Sequence, residues 1–502
     1  MRGAFLGIDV GTTGAKAVLV DGQGRVLASA THDYPLSVPR PGWSEQEPQA
    51  WWEATVLSIR AVLAAQDVQV DGVGLTGQMH GLVALDPKGE VLRPAILWND
   101  QRTAEEVAWI TERVGPQRVL ELTGNPVLTG FTAPKICWVR RHEPQVYRRI
   151  AHVLLPKDYV RYRLTGTLAT DVADASGTSL FDVRGRRWSD EMLSALEIPR
   201  SWLPDVFESP EVVGRVSEAA AGLTGLRAGV PVVAGAGDQA AQAVGAGIVR
   251  SGLLSVTIGT SGVVFAHLDA VQVDPLGRTH TFCHAVPGKW HVMGVMLAAG
   301  GSLRWLREGL GIPDWHRAGG DPYALMTEEA AEVPPGSEGL LFLPYLSGER
   351  TPHADPFARG AFVGLTLRHR RAHFVRSVLE GVAFGLRDSL EILRTMGLAP
   401  TQVRVSGGGA RSALWRQILA DVFGTELVTV EVTEGAAYGA ALLAAVGAGA
   451  FPSVEAACDR AVRVVERTAP GPGRERYEEL YRVYVELYPR LRDAMHRLSR
   501  LS

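Results

Sequence analysis

The sequence predicts an α/β protein with two lobes of similar size, and a repeated local pattern is the main reason. Residues 7–14 have the sequence GIDVGTTG and residues 257–262 have TIGTSG, each followed by another apolar run. Each pattern predicts a strand, a tight turn and a second strand, because glycine accepts positive φ. Strands and helices also occur in both halves of the chain, which indicates the α/β class.

The two glycine-threonine turns are also the first indication of function. Backbone N–H groups and hydroxyls exposed in such turns donate hydrogen bonds to phosphate oxygens without adding bulk. Two such turns, roughly half a chain apart, therefore predict paired lobes that close on a nucleotide from both sides.

The N-terminal segment is predicted to form three consecutive strands and then a helix. The strands are Phe5–Val10, Ala15–Val20 and Val26–Ala30, and turns containing glycine join them. Pro48 then opens a helix, because proline is tolerated in the first helical turn.

The next elements are a strand over Val70–Thr76 and a second strand over Leu82–Leu85. We expect these two strands to pair with each other across the turn Gly77–Gly81. Residues 101–165 are predicted to be mainly helical.

The lobe boundary is predicted near residues 246–252. Val230–Ala234 is a short apolar strand that leads into glycines and an alanine-rich helix, and the strand-turn-strand pattern then restarts. We therefore expect one lobe over residues 1–247 and a second over residues 248–502.

Composition limits the class of partner. The chain has 502 residues, of which 46% are hydrophobic and 21% charged, so it can bury substantial cores. A net charge of −3 gives no indication of a nucleic-acid or anionic-membrane partner. The three cysteines lack C-x-x-C spacing, and neither a signal peptide nor an uninterrupted membrane-spanning stretch is recognisable. We expect a cytoplasmic protein.

Asp9 is a carboxylate within an apolar strand, between Ile8 and Val10. A buried carboxylate is costly unless it accepts hydrogen bonds, pairs with a cation or binds a metal ion. Two hypotheses follow: a structural aspartate that accepts turn N–H groups, or a ligand of Mg²⁺ beside a phosphate-binding turn.

Asp238 lies between the strand Val230–Ala234 and the alanine-rich helix. One hypothesis is a helix N-cap, a position that aspartate favours. The local sequence GAGDQA also matches the dinucleotide pattern GxGxxA. However, a carboxylate there would repel pyrophosphate, and no acidic residue follows before Asp269. We therefore predict that Asp238 is a general base and that Gln239 orients a hydroxyl group.

Two polar segments, Gln78–Gly81 and Trp98–Arg102, combine hydrogen-bond donors and acceptors. Sugars need this mixture, since each hydroxyl must find a partner inside a dry pocket. By itself, a residue such as His80 is more often a turn histidine than a ligand-binding residue. The Walker A pattern is absent, which excludes a P-loop.

Taken together, these segments resemble the FGGY family of carbohydrate kinases over nearly the whole chain. Patterns similar to those of the family are found at residues 77–81, 92–100, 130–138, 155–159, 343–352 and 360–380. Several long matches in the same order make the resemblance specific.

The resemblance implies two actin/hexokinase-like (ribonuclease H-like) lobes with ATP and sugar in the cleft between them. It implies that Asp238 is the catalytic base and that Asp9 helps to hold Mg²⁺. The sugar-binding residues implied are Met79, His80, Asp238 and Gln239. The residues implied to contact the nucleotide are Thr12, Thr13, Gly259, Thr260, Gly300, Arg304, Gly408 and Ser412.

The substrate expected from the resemblance is D-xylulose, phosphorylated by ATP at its terminal 5-hydroxyl. Gln239 departs from the asparagine usual in pentulose kinases and matches glycerol kinases, so ribulose, L-xylulose and glycerol stay open. Ala437-Tyr438 replaces the commoner Pro-Ala, which concerns the adenosine side. Alternatives of other classes are an actin-like ATPase without a sugar substrate and a dehydrogenase. A homodimer is an open alternative to a monomer.

Overall fold

The computed structural model describes residues 3–309 and 321–501. Two mixed seven-stranded sheets form the centres of two lobes, and smaller two-stranded sheets lie around them. Among the helices described, none is long and apolar enough to cross a membrane.

The strands of the structure are β1 Gly3–Val10, β2 Gly14–Asp21, β3 Val26–Asp33, β4 Glu45–Gln46, β5 Gln69–Gly77, β6 Val83–Leu85, β7 Ala95–Ile96, β8 His152–Leu154, β9 Ala169–Asp171, β10 Phe181–Asp182, β11 Arg187–Trp188, β12 Asp205–Phe207, β13 Val212–Arg215, β14 Pro231–Val233, β15 Ala236–Gly237, β16 Leu253–Ile258, β17 Gly262–Leu268, β18 His280–Cys283, β19 Trp290–Met296, β20 Leu341–Leu343, β21 Ala361–Val363, β22 Gln402–Ser406, β23 Leu427–Val430 and β24 Val464–Thr468.

The α-helices are α1 Pro48–Ala64, α2 Ala104–Val114, α3 Pro116–Thr123, α4 Thr132–His142, α5 Pro144–Tyr147, α6 Pro156–Thr165, α7 Val172–Ala175, α8 Asp190–Leu196, α9 Glu218–Thr224, α10 Asp238–Gly245, α11 Gly300–Gly309, α12 Pro322–Ala331, α13 Arg371–Thr395, α14 Ala413–Phe423, α15 Gly435–Gly447, α16 Val454–Ala461 and α17 Arg474–Leu501. Short 3-10 helices occur at Ser176–Thr178, Arg200–Trp202, Ser337–Gly339 and Gly408–Arg411.

The first sheet has the strand order β13-β14-β5-β1-β2-β3, with β15 added at the end of β5. β1 and β2 form an antiparallel hairpin, and β1 runs parallel to β5 on its other side. Side chains alternate between the two faces of a strand. Leu6 and Ile8 accordingly pack with Trp51 of α1, whereas Phe5 packs against Ala444 of α15 on the opposite face.

The second sheet repeats this arrangement in the order β18-β19-β17-β16-β22-β23-β24. The hairpin β16–β17 is antiparallel, and β16 is parallel to β22, as β1 is to β5. The long helix α13 packs against this sheet and contributes much of the core of the second lobe. Each glycine-threonine turn therefore connects the two strands of a central hairpin.

Helix α15 crosses to the first lobe, although it follows the second sheet in the sequence. It packs on β1, β5 and α10. Glycines permit this close approach: a Cβ at Gly7 or Gly74 would overlap a backbone oxygen of α15, and one at Gly439 would overlap the carbonyl oxygen of Ala241. Helix α15 therefore joins the two lobes, and glycines at its contacts with β1, β5 and α10 let the backbones lie close together.

The sequence predicted the first elements correctly but placed one strand pair wrongly. The three N-terminal strands and the helix opening at Pro48 are confirmed. The prediction that Leu82–Leu85 pairs with the strand before Gly77–Gly81 is wrong, because β6 pairs with β8. The physical reason is that β1 and β14 already occupy both edges of β5, so the chain must leave the sheet.

Candidate active site

Three strand ends meet at one edge of the first sheet and define the candidate site. Val10 of β1 lies beside Gly77 of β5, and Gly77 lies beside Gly237 of β15. These strands are parallel, so their carboxyl ends lie at the same edge, where ligands bind in open α/β sheets. This register brings Asp9, the turn after Gly77, and Asp238 to one place.

Asp238 is the first residue of α10, and Gly237 holds the N-cap position. The N-cap hypothesis for Asp238 is therefore wrong. The cause is the backbone before it: Gly235 has a φ of 78°, and the chain then follows β5 for two residues before the helix begins. Burial and the neighbouring Asp9 carboxylate raise the pKa of Asp238 to about 7. A carboxyl group with such a pKa is well matched to proton transfer near neutral pH.

Asp9 shares this site, as the electrostatic effect between the two carboxylates indicates. Burial raises the pKa of Asp9 to about 6, and Lys16 on the next strand opposes the shift. The buried Oδ1 atom has no hydrogen-bond partner among the described residues. The turn N–H of Gly11 donates to Gly14 instead, so the structural hypothesis lacks its donor. An unpaired carboxylate oxygen beside a second carboxylate fits the oxygen ligands that Mg²⁺ prefers.

His80 is held in one orientation by its surroundings. Its φ is 70°, unusual for a residue with a side chain, and its Nδ1 lies 2.7 Å from the carbonyl oxygen of Gly177. The carbonyl oxygen can only accept, so Nδ1 donates and Nε2 is the free acceptor. The ring stacks on Phe131 with centroids 4.5 Å apart. Burial lowers the pKa of His80 to about 3, so the imidazole is neutral.

The backbone beside this imidazole is fixed as well. Lys135 Nζ donates to the carbonyl oxygen of His80 at 2.8 Å, and Thr132 Oγ1 donates to the same oxygen at 3.0 Å. Met79 packs under Gly177 and Gly237, where added Cβ atoms would meet its side chain. Met79 and His80 therefore form a rigid wall beside Asp238, unlike an ordinary surface turn.

Thr12 connects the first glycine-threonine turn to both polar segments. Its hydroxyl donates to Gln78 Oε1 at 3.2 Å and accepts from Trp98 Nε1 at 3.0 Å. Thr13, by contrast, is exposed at the tip of the turn. No local pattern indicated the contact between Thr12 and Trp98, which are 86 positions apart.

A cavity of about 760 Å³ lies in the second lobe. Its lining includes every residue of the second lobe for which the family resemblance implied nucleotide contact: Gly259, Thr260, Gly300, Arg304, Gly408 and Ser412. The volume lies within the range of cofactor and nucleotide pockets. The sequence missed the other lining residues, among them Tyr323, Thr327, Glu328 and Leu414. These four lie on the outer helices α12 and α14, where nothing in their pattern departs from ordinary helix packing.

Hydrogen bonds hold the turn at the mouth of this cavity. The N–H of Gly300 donates to Gly259 O at 2.8 Å, and the N–H of Gly301 donates to Thr260 O at 3.0 Å. Ser412 caps α14 by accepting from the N–H of Trp415 at 3.2 Å. The second glycine-threonine turn and the start of α11 thus form one unit.

A short chain of polar side chains joins the helix of Asp238 to the strands beside the second-lobe cavity. Gln242, one turn after Asp238 in α10, donates from Nε2 to Thr257 Oγ1 at 2.7 Å. Thr257 Oγ1 is 3.1 Å from Ser406 Oγ, and Ser406 precedes the glycines that line the second-lobe cavity. The helix that carries Asp238 is therefore in direct contact with the strand that ends in the turn Gly259–Thr260.

Family models match both lobes. The N-terminal domain of the FGGY family of carbohydrate kinases matches residues 4–245, and the C-terminal domain of that family matches residues 254–448. The chain belongs to the FGGY family of carbohydrate kinases. This membership confirms the actin/hexokinase-like fold, makes the protein a carbohydrate kinase and implies ATP as its phosphoryl donor.

Individual relatives cover nearly the whole FGGY kinase chain. The Xylulose kinase of Escherichia coli (strain K12) is 44% identical over 446 residues, which are 88% of this chain and 90% of that protein. The Xylulose kinase of Bacillus subtilis (strain 168) is 39% identical over 492 residues, 97% of each chain. The crystal structure of xylulose kinase from Rhodospirillum rubrum has a TM-score of 0.91 at 35% identity, covering 98% of this chain and all of that one.

Proposed function

We propose that this FGGY kinase transfers the terminal phosphoryl group of ATP to the 5-hydroxyl of D-xylulose, giving D-xylulose 5-phosphate and ADP. The observation that carries the choice of sugar is the similarity to relatives named xylulose kinase, at 44% and 39% identity over most of the chain. The carboxyl group of Asp238, with its raised pKa, lies beside the rigid wall of Met79 and His80, and this arrangement supports proton transfer from a sugar hydroxyl.

Asp238 accepts the proton of the 5-hydroxyl as the new O–P bond forms. A pKa near 7 keeps a useful fraction of the carboxylate free at neutral pH, while making it a better proton acceptor than an ordinary aspartate. Gln239, in the first turn of α10, orients the same hydroxyl. Positioning and charge neutralisation supply most of the acceleration in phosphoryl transfer.

The sugar is held by Met79, His80, Asp238 and Gln239 in this proposal. The free Nε2 of His80 accepts a hydrogen bond from a sugar hydroxyl, because Nδ1 is already used by Gly177. A neutral imidazole suits an uncharged sugar, since it adds no charge that would need a counter-ion. The Met79 side chain supplies the apolar surface for the C–H groups.

The phosphates of ATP lie between the two glycine-threonine turns, at Thr12, Thr13, Gly259 and Thr260. The adenosine occupies the cavity bounded by Gly300, Arg304, Gly408 and Ser412. Most of that cavity wall is apolar, as a base and a ribose require.

Asp9 is proposed to hold Mg²⁺, directly or through water. The unpaired Oδ1 atom of Asp9 supports this role, since an oxygen ligand without a protein donor is available there. When bound, Mg²⁺ neutralises charge on the phosphates. Asp9 also raises the pKa of Asp238, so it affects the base as well as the nucleotide.

The lobes are proposed to divide at residues 1–247 and 248–502, with the sugar mainly on the first and the nucleotide mainly on the second. The last strand end of the first sheet, β15, and the first strand of the second, β16, lie on either side of this boundary. A cytoplasmic location and a homodimer stay predictions from the sequence.

A panel of acceptors tests the substrate. ADP formation is measured by a coupled assay with D-xylulose, D-ribulose, L-xylulose and glycerol, and without any acceptor. We expect D-xylulose to give the highest kcat/KM and to stimulate ADP formation strongly. A higher kcat/KM with glycerol would contradict the proposed sugar and would agree with Gln239. ATP hydrolysis that no acceptor stimulates, together with concentration-dependent polymerisation, would favour an actin-like ATPase.

A further inference from the structure

Arg350 belongs to the second lobe but lies beside the sugar-binding wall of the first. The neighbouring Thr351 donates from its N–H to Val295 O at 3.0 Å, and its Oγ1 accepts from the N–H of Val295 at 3.1 Å. Val295 packs in the same apolar cluster as Met79 and Phe131. The backbone at Arg350 is therefore fixed close to the wall formed by Met79 and His80.

The side chain of Arg350 has no acceptor in the described part of the protein. The adjacent Glu349 carboxylate is turned towards the backbone, where its Oε1 accepts from the N–H groups of Leu297 at 3.0 Å and Arg350 at 2.8 Å. The Arg350 guanidinium makes no hydrogen bond or ion pair to a described residue, and its nitrogens are not sealed from solvent. A half-buried guanidinium with five N–H donors and no acceptor is costly unless a ligand supplies one.

The rings of Phe131, His80 and His280 form an aromatic cluster at the wall beside Arg350. The ring centroid of Phe131 lies 4.5 Å from that of His80, on which it stacks, and 6.0 Å from that of His280. His280 belongs to the second lobe. The positive charge of Arg350 contributes to lowering the pKa of both His80 and His280. The guanidinium therefore lies within electrostatic reach of both rings. The charge of the Glu349 carboxylate acts on the Arg350 guanidinium, but this carboxylate already accepts hydrogen bonds from two backbone N–H groups.

We propose that Arg350 binds the non-reacting end of the sugar and is a specificity-determining residue of this kinase. The 5-hydroxyl of the sugar must lie at Asp238, so the keto end lies further along the wall of His80 and Phe131. The guanidinium fork donates two hydrogen bonds, one to the ketone oxygen and one to a neighbouring hydroxyl oxygen. This inference rests on the proposed sugar kinase function and adds the recognition of a ketose.

The position of Arg350 favours the sugar over the nucleotide as its ligand. The residues implied in phosphate and adenosine binding lie at the glycine-threonine turns and in the cavity that Arg304 lines. Arg350 does not line that cavity. Because the rest of the sugar site belongs to the first lobe, a contact to Arg350 would make the sugar bridge the cleft.

Two variants, Arg350→Gln and Arg350→Lys, test the contact. A hydrogen bond to a charged group contributes about 1.5–3 kcal/mol, so KM for D-xylulose should rise about 10-fold to 100-fold in Arg350→Gln. Lysine cannot make the two-pronged contact, so Arg350→Lys should recover only part of the loss. KM for ATP and the ATP hydrolysis without sugar should stay unchanged. Arg368→Gln is the matched control, because Arg368 is exposed and pairs only with Glu338 at 3.2 Å among the described residues.

A second readout separates recognition of the ketone from a general effect on folding. D-Arabinitol is one of the two alditols that reduction of D-xylulose at the ketone carbon gives; it keeps the carbon chain, but a tetrahedral CH–OH group replaces the planar carbonyl, so its oxygen leaves the plane that the guanidinium fork addresses. The ratio of kcat/KM for D-xylulose over D-arabinitol should fall about 10-fold in Arg350→Gln, at an unchanged thermal unfolding midpoint. A structural role for Arg350 would lower both values together and leave their ratio as in the wild type.

Three results would overturn the inference: an unchanged KM for the sugar, an unchanged ketose-to-alditol ratio, or a raised KM for ATP with the sugar KM preserved. The last would assign Arg350 to the nucleotide. The KM measurement is made with the acceptor that gives the highest kcat/KM in the panel. A different best acceptor would therefore contradict the proposed function and still leave the Arg350 contact measurable.

Discussion

At the residue scale, the proposed chemistry rests on the pair Asp9 and Asp238. Each carboxyl group is buried and has a raised pKa, about 6 for Asp9 and about 7 for Asp238. Two close carboxylates resist simultaneous ionisation unless a cation lies between or beside them. The same pair that suits a proton acceptor therefore also suits a cation, and binding of a cation would favour the ionised form of both.

The pH dependence of turnover follows from this pair. Asp238 acts as a base only when it is ionised, so kcat/KM for D-xylulose should fall as the pH is lowered through its pKa. The apparent pKa should lie between about 5 and 7, because a cation at Asp9 removes only part of the upward shift. Steady-state rates at saturating ATP and Mg²⁺ between pH 4.5 and 9 measure it. A rate that stays constant down to pH 4.5 would contradict the assignment of the base.

The residue roles differ in how visible they are in the sequence. Asp9 and Asp238 are visible because an acidic residue interrupts an apolar strand or follows glycines. Arg350 and the hydroxyl contact of Thr12 with Trp98 are not, because their significance depends on partners far along the chain. The orientation of His80 likewise depends on Gly177, which is 97 positions away.

At the scale of elements, glycine contacts between helices position α10, the helix that begins with Asp238. Gly439 of α15 packs directly on Ala241 of α10, and Gly245 of α10 packs on Gly435. A side chain at Gly439 or Gly245 would overlap the backbone of the other helix, so the two backbones lie in contact here. Asp238 begins the helix that is fixed in this way, so the contact holds the proposed base in place.

Gly439→Ala should therefore be strongly disruptive. The added Cβ would overlap the carbonyl oxygen of Ala241, which is backbone and cannot rotate away. We expect a loss of about 3 kcal/mol in the free energy of unfolding, at the upper end of what overpacking a core typically costs. Urea denaturation measures the loss, and kcat should fall with it because α10 is displaced.

Gly222→Ala is the matched control for this prediction. Gly222 lies in α9, and nothing lies within 4 Å of the position of its Cβ. Alanine in a helix is more favourable than glycine, so this variant should be neutral or slightly stabilised. Equal loss of stability in the two variants would contradict the close contact between α10 and α15.

A buried charge cluster supports the segment that precedes Asp238. Lys157 Nζ lies 2.6 Å from Asp158, 2.7 Å from Asp171 and 3.2 Å from Asp174. Arg161 pairs with Asp158 and donates to the carbonyl oxygen of Ala234 at 2.6 Å. This last contact fixes the end of the strand that leads through Gly235 to the base. Burial of charge is tolerated here because each cation is surrounded by acceptors.

Element prediction succeeded where the signal is local. The hairpin β1–β2 and the helix at Pro48 follow from glycine turns, apolar runs and a proline within a few residues. The pairing of β6 with β8 depends on contacts about 70 positions apart, and no local signal distinguishes it from a hairpin with β5. The return of α15 to the first lobe is non-local in the same way.

At the scale of the molecule, the repeated strand-turn-strand pattern predicted two related lobes. The two central hairpins and their parallel neighbours confirm that prediction. The polar chain from Gln242 through Thr257 to Ser406 shows how the helix of Asp238 in one lobe meets the hairpin strand β16 of the other. The proposed sugar site and the proposed nucleotide cavity would therefore share a border at α10.

The family resemblance made it possible to predict the six second-lobe residues that line the cavity. Composition and spacing alone would have indicated Gly259 and Thr260, which lie in a recognisable turn. They would not have indicated Arg304, which lies on the exposed side of an ordinary helix. Residues on different elements form such a cavity only after the whole lobe has folded.

The most direct test of the account is the turnover of Asp238→Asn with D-xylulose and ATP, with ATP affinity measured in parallel by calorimetry. The substituted amide would keep the shape of the side chain but could not take the proton. We expect kcat to fall about 1,000-fold, as loss of a general base does, with an ATP Kd within about twofold of wild type. The exposed Asp67→Asn serves as the control and should retain full activity. Turnover of Asp238→Asn close to the wild-type rate would contradict the central claim that this carboxylate is the base at the cleft.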